Sequence, residues 1–562
     1  MAKGVGTATI SVFANTQFDV AIKAASSFLI LDAVFYPMTF PSDTTILRFL
    51  FAALVLGTLY RLYPIFAGQP ELSQFFMTED GYLMLTIARN MALGLGMTVS
   101  DGTISSNGVQ PLATFLYALP YWVSAGDKVA GLIGVHLIAT AISVAAIFSV
   151  RALARILLAP LTARPIWPWF VATLWYLGPH LTLHTMNGLE TGLYTLMVTL
   201  TLVLFARILT RETQASLQAR LVLGTAFGVT FLARNDGALL VTILFAVWLL
   251  HDLFVRKDAL WPVVMRLFWP GVVSLLIAAP WLINNYVSFG SIVPISGTAQ
   301  ALTGGFAANA AILPANLFEQ MFPMIPIPAL LETRPLFMAG AVTVVVAFVA
   351  LSMWQLWRLP GPARYVAGAY SVFGIALAVY YGFFFGAGWF LGRYLAPLSP
   401  LLISVSLWVL LWVLRRATPH HGARIARAAL LGGVVVSGVL LGRYMLPGVK
   451  DQGHFQVVNW VTQNVPDDVW VGAIQTGTLG YWHDRTINLD GKVNPDALEE
   501  VLRKGHVFDY VTQSQITYLA DWAGIGEWVK GTTAARRKFG ESFELVLSDR
   551  AQNLAVLKRR PR

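Results

Sequence analysis

In a chain dominated by apolar runs, the side chains able to move a proton or hold an anion are few, and they fall at the ends of those runs. Glu79-Asp80-Gly81 follows Thr78, Asn187-Gly188-Leu189-Glu190 and Arg234-Asn235-Asp236-Gly237 sit between apolar stretches, and Gly392-Arg393-Tyr394 opens another. Between them come Ser106-Asn107-Gly108-Val109-Gln110-Pro111 and Asn284-Asn285-Tyr286. A carboxylate can take a proton from a reacting group, and arginine's planar fork suits phosphate oxygens. Charges at the rim of a membrane segment are functional candidates by default. Each also has a structural alternative. Glu79 and Asp80 would complement the positive end of a helix starting after Thr78, and Glu190 would cap a span. Arg234 and Arg393 would snorkel to the interface. His180 and His184 lie one helical turn apart, but no third ligand stands in register, which favours a structural role. The functional case rests on co-occurrence.

The elements that must position these residues are membrane helices. The 562 residues are 56% hydrophobic and only 12% charged, about half the charged fraction of a soluble domain. Disorder, a disulfide scaffold and a coiled coil are excluded, and there is no cysteine for thiolate chemistry. Apolar runs of the length needed to cross a bilayer fall near 45–66, 129–151, 165–184, 189–210, 216–233, 237–255, 265–286, 336–357, 364–386, 393–414 and 427–446. That makes about eleven transmembrane helices, with 112–124 a juxtamembrane or re-entrant piece. Arginine and lysine crowd alternate loops, for example Arg151, Arg155 and Arg164, then Arg256, Lys257 and Arg266, then Arg415, Arg416, Arg424 and Arg427. By the positive-inside rule those loops are cytoplasmic. The net charge of +10 therefore reports topology and is no nucleic-acid signal. The expected organisation is a cytoplasmic or interfacial segment 1–44, a membrane module 45–446 with its first outer loop at 67–128, and an outward-facing tail 447–562. In that tail strand-like runs at 469–474, 486–489, 544–547 and 554–557 alternate with helix-like ones at 455–465 and 495–504, which reads as an α/β domain.

The order of motifs resembles a known family. An acidic pair is followed by ARNMALGLG…NGVQPL, NGLETGLY, ARNDG, NNYVSFGSIVP, GRYLAPLSP and GTLGYWHDRTINLDGKVNP. Over about residues 45–500 this resembles the GT-C superfamily of membrane glycosyltransferases, and within it the branch containing the mycobacterial arabinofuranosyltransferase AftB. That branch often carries Asp-Asp where this chain has Glu79-Asp80, so Asp80 is the matching carboxylate. The resemblance implies transfer of a sugar from a polyprenyl-phosphate donor to a hydroxyl of a cell-envelope glycan or glycolipid, on the outer face of a bacterial inner membrane. Catalysis would fall to Asp80, with Glu79 beside it, as base in a single inverting displacement. The donor phosphate would fall to Arg393 and Arg234. Sugar and acceptor would fall to Glu190, Asn187, Asn107, Gln110, Tyr394 and, from the tail, Gln475. The resemblance fixes no cofactor; some members use a divalent metal, and whether Glu79, Asp80 and Glu190 share one is left open.

A physical argument runs alongside. Nucleotide sugars are cytosolic, so an outward-facing transferase needs a donor carried by lipid. A hydroxyl is a poor nucleophile until a base takes its proton, and a departing phosphate needs fixed cations. Two alternatives compete. A protein O-glycosyltransferase of the same class differs only in its acceptor. A lipid-linked sugar transporter or flippase would carry paired repeats with matching broken helices, and no internal repeat is evident.

Overall fold

The computed structural model describes residues 41–210, 216–302, 304–327, 334–356, 359, 361–386, 388–418, 421–449, 454–524 and 533–561. The expected N-terminal segment falls outside these except for its last four residues. Helices stand at all eleven expected span positions. Eight are long and apolar enough to cross a membrane, from Asp43–Ala67 and Lys128–Leu158 to Leu391–Ala417 and Gly422–Met445. Ile166–Leu177, Leu217–Ala233 and Pro335–Ala347 are shorter apolar helices. The protein is a multipass membrane protein.

Two expected spans are interrupted. The third breaks into Ile166–Leu177 and Pro179–Met186. Pro179 lacks the amide that would continue the ladder, and Gly178 lets the backbone pass Pro323, which a Cβ would approach to 2.7 Å. The tenth begins as Leu391–Leu395, tightens through a 3₁₀ turn at Ala396–Leu398, and runs on as Ser399–Ala417, with Pro397 and Pro400 setting the irregularity. This irregular entry carries Arg393.

Side-chain hydroxyls tie neighbouring helices together where lipid gives no hydrophobic drive between them. Ser149 bonds Thr199 at 2.7 Å and Thr201 bonds Thr230 at 2.8 Å. The buried Arg61 donates to the Tyr176 carbonyl at 2.7 Å and lies 3.7 Å over that ring.

The first loop, 67–128, is well structured. Helix Glu79–Ala92 is followed by a two-strand ribbon, β1 (Thr98–Val99) and β2 (Ile104–Ser105), and then helix Pro111–Val123. That last helix is the expected juxtamembrane piece. It turns Phe115, Leu119, Trp122 and Val123 outward and buries Tyr117 and Tyr121.

The tail is an α/β domain. Its strands are β3 (Val471–Ala473), β4 (Thr486–Asn488), β5 (Tyr518–Asp521), β6 (Phe543–Asp549) and β7 (Leu554–Arg559), ordered β4-β3-β5-β7-β6. β3 runs parallel to β4 and β5, and β7 runs antiparallel to both of its neighbours, β5 and β6. Four strands and the helices Phe455–Asn464 and Pro495–Lys504 meet expectation; β5 is additional.

The domain is welded to the first loop. Tyr82 packs against Tyr481 at 4.9 Å between ring centroids, and the Tyr121 and Tyr481 hydroxyls meet at 3.0 Å. Asp484 pairs with Arg89 at 3.0 Å and Lys128 at 3.1 Å.

Candidate active site

Three glycines explain how distant motifs converge. At Gly81 a Cβ would fall 2.1 Å from the Asn187 carbonyl oxygen, at Gly108 2.1 Å from the Lys492 carbonyl oxygen, and at Gly477 1.7 Å from the Glu79 carbonyl oxygen. Each marks a close approach of two backbones that any side chain would hold apart. Thr78 completes the first contact. Its Oγ1 accepts from the Gly81 amide at 3.2 Å, as an N-cap does, and donates to the Asn187 carbonyl at 3.1 Å. The start of helix Glu79–Ala92 and the 187–190 turn are thereby fixed to each other, with Asp80 and Glu190 facing one cavity.

That cavity has a volume of about 500 Å³, within the range of ligand sites. Asp80, Gln110, Glu190, Arg234, Arg393 and Tyr394, all candidates from sequence, line it. Leu239, Leu282, Ile292, Val293 and Phe231 supply an apolar wall. The cavity thus offers both charged groups and hydrocarbon surface.

Asp80 stands between two cations. Its Oδ2 accepts from Arg393 Nη1 at 3.1 Å, and its Oδ1 lies 3.6 Å from Lys492 Nζ. Burial would raise the Asp80 carboxyl, but Lys492 and Arg393 outweigh it and hold the group below the ordinary carboxylate range. Burial likewise works against charge on Lys492, and Asp80 and Asp490 reverse it, raising that ammonium above its usual value. Arg393 also donates to the Tyr394 hydroxyl at 3.0 Å and lies 5.1 Å over the Phe390 ring.

Arg234 is differently placed. It binds Asp236 through two nitrogens, Nε at 2.9 Å and Nη2 at 2.6 Å, and donates to the Tyr394 carbonyl at 3.1 Å. The Tyr381 hydroxyl donates to the same Asp236 at 2.8 Å, and the Tyr381 and Tyr394 rings stack at 4.2 Å. Arg234 and Asp236 neutralise each other on the cavity wall.

The remaining candidates do not line the cavity. Glu79 turns to the tail domain: its carboxylate accepts from the Gly477 amide, from the Thr478 amide at 2.9 Å and from the Thr478 hydroxyl at 2.5 Å. Burial lifts Glu79 to about 7 against these bonds. Asn187 Oδ1 accepts from the Leu189 amide at 3.1 Å, shaping its own turn. Asn107 Oδ1 accepts from the Ile295 amide at 3.0 Å and anchors the long loop. Gln475 lies beyond β3, its amide on Asp521 Oδ2 at 3.1 Å. Glu79, Asp80 and Glu190 therefore do not converge, and among the described residues no three His, Asp or Glu side chains are grouped to hold a metal ion. His180 and His184 meet edge to face at 6.2 Å.

Sequence reading passed over Lys492, Tyr381 and the pairing role of Asp236. Lys492 stands inside the motif GTLGYWHDRTINLDGKVNP, in the glycine-containing turn Asp490-Gly491-Lys492.

A family model described as a domain of unknown function (DUF8728) matches residues 447–553. The chain matches no curated protein by sequence. Among solved structures it is similar to ArnT from Cupriavidus metallidurans bound to undecaprenyl phosphate, with TM-score 0.56, 13% identity, and coverage of 93% of this chain and 100% of that one. It is also similar to the archaeal oligosaccharyltransferase AglB from Archaeoglobus fulgidus, in complex with an inhibitory peptide and a dolichol-phosphate, with TM-score 0.55, 13% identity, and coverage of 88% and 72%. At 13% identity, what the chain shares with both is the fold.

Proposed function

We propose that the protein is a polyprenyl-phosphate-dependent glycosyltransferase that moves a sugar to an acceptor hydroxyl on the outer face of the membrane, with Asp80 as base. The observation that carries this is the joining of Asp80, Glu190 and Arg393 with an apolar wall in one cavity. An amphipathic donor needs both ends: cations for its phosphate and hydrocarbon surface for its prenyl chain. The two solved structures were captured with polyprenyl-type phosphates, which supports the same donor class here.

The acceptor oxygen attacks the anomeric carbon from the face opposite the phosphate. The new C–O bond forms as the bond to the phosphate oxygen breaks, which inverts the centre. Asp80 takes the hydroxyl proton, and the polyprenyl phosphate departs with one more negative charge than the donor phosphodiester carried. Fixed cations aimed at that charge lower the barrier, and Arg393 is placed to supply one. Donor binding also changes the base: a phosphate drawing Arg393 away from Asp80 removes a charge that depresses its proton affinity. Glu190, Gln110 and Tyr394 line the space where sugar hydroxyls would lie.

The motif resemblance makes arabinofuranose the first sugar to try and an envelope glycan or glycolipid the first acceptor. The test uses full-length protein in lipid nanodiscs with a panel of polyprenyl-phosphate sugars and an envelope-glycan fraction, following release of free polyprenyl phosphate. Release that depends on both acceptor and Asp80 supports the proposal. Transport of donor between leaflets without release would replace it with the flippase reading.

A further inference from the structure

Lys492 reaches the cavity from the far end of the chain, on a loop with little freedom. The loop joins β4 to helix Pro495–Lys504. Gly491 turns it at φ +79°, where a Cβ would meet the Leu498 backbone at 2.8 Å. Asn488 Oδ1 accepts from the Gly491 amide at 3.0 Å, and Asp490 Oδ1 accepts from the Lys492 amide at 2.9 Å. Asn494 fastens the loop's exit, donating to the Asn488 carbonyl at 2.8 Å and the Tyr510 hydroxyl at 2.9 Å, while its Oδ1 caps the helix at Ala497. The Lys492 carbonyl rests on Gly108. With its backbone held on both sides, the side chain extends into the cavity.

There the ammonium lies 3.6 Å from Asp80 Oδ1 and 3.6 Å from Asp490 Oδ2. Both distances exceed a close hydrogen bond, and an ammonium has three donors to place. Lys492 Nζ and the Arg393 guanidinium both approach the Phe390 ring, at 5.9 and 5.1 Å, so the two cations flank one point beside Asp80. Arg234 is bound to Asp236 through two nitrogens and brings no net charge to this point.

We infer that Lys492, and not Arg234, is the partner of Arg393 in binding the donor phosphate, so that the tail domain supplies a residue of the active site. This rests on the donor class proposed above. An anion entering between Arg393 and Lys492 takes over the donors now turned toward Asp80, and one event seats the donor and releases the base. It also gives the domain of unknown function a definite task, that of delivering one cation to a membrane-borne phosphate.

The experiment measures binding of undecaprenyl phosphate against undecaprenol by full-length protein in nanodiscs, for wild type, Lys492→Met and Lys492→Arg. Wild type is expected to prefer the phosphate. Lys492→Met should lose at least tenfold in phosphate affinity with undecaprenol binding unchanged, and Lys492→Arg should recover most of it. A wild type that prefers the phosphate beside a Lys492→Met variant with undiminished affinity overturns the assignment of Lys492 alone. A wild type with no preference overturns the donor class itself. A second readout needs no variant: undecaprenyl phosphate, but not undecaprenol, should slow acylation of Lys492 by an amine-reactive reagent. Equal labelling with and without the phosphate counts against the inference.

Discussion

Glu79 and Asp80 are neighbours in the first turn of one helix, yet their carboxylates serve different parts of the molecule. Glu79 is taken up by Gly477 and Thr478 of the tail domain, while Asp80 faces Arg393 and Lys492 in the cavity. The acidic pair divides between the tail domain and the cavity.

Asp80→Asn should fold normally and lose turnover by about 10²–10⁴-fold, the usual worth of a positioned base. The same change removes the anion that now faces Arg393 and Lys492, so free polyprenyl phosphate should bind more tightly to the variant than to wild type. Turnover assays and product-inhibition constants measured side by side check both halves. Loss of both turnover and product binding would mean that Asp80 holds the fold.

Glu79→Gln puts an amide nitrogen against donors that need an acceptor, and a buried donor left without one costs about 1–3 kcal/mol. The expected result is a lower melting temperature for the tail domain, with donor turnover little changed below it. Glu79 is lifted to about 7 by burial, above its unfolded value near 4.3. Between those values the folded state keeps a proton that the unfolded state has lost, so this group's contribution to stability falls as pH rises from about 4.3 to 7 and levels off above. Glu79→Gln should remove that slope from the melting curves.

Gly108→Ala should reduce activity at least tenfold, because its Cβ would fall 2.1 Å from the Lys492 carbonyl oxygen and push the lysine loop off its seat. The control is Gly432→Ala in helix Gly422–Met445, where a Cβ meets nothing within 4 Å; it should be neutral or slightly stabilising. Equal activity in the two variants would show that the loop adjusts freely.

Asp236→Asn leaves Arg234 buried without its counter-charge, a defect worth about 3–5 kcal/mol in comparable pairs. Arg234→Met combined with Asp236→Asn removes both charges and should be less destabilised than Asp236→Asn alone. Thermal unfolding of the two proteins decides it, and additive losses would argue against a coupled pair.

Much of this was legible in the sequence, and for a physical reason. Charge is costly next to hydrocarbon, so Asp80, Glu190, Arg234 and Arg393 stood out against apolar neighbours, and all four line the cavity. Lys492 did not stand out, because a lysine in a polar tail has no such background. The backbone contact at Gly108 helps bring it to the site. Asn107 and Asn187 were read as ligands because an asparagine in a glycine turn suits both jobs, and here both fasten loops. Helix length misled at 165–184, where apolar composition runs on through the break at Gly178-Pro179. β5 lies too deep, pairing with β3 and β7 on its two sides, to show the alternation that marks a half-exposed strand.

The weld between Glu79 and Gly477 spans 398 positions of the chain, and Lys492 lies further on still. A polypeptide is made from its N-terminus, and its domains fold as units in that order. Until the tail is made, Asp80 and Arg393 therefore lack Lys492 beside them. On the phosphate site proposed for Lys492, competence waits on the tail domain, so a chain stalled before it would occupy the membrane without turning over lipid-linked sugar.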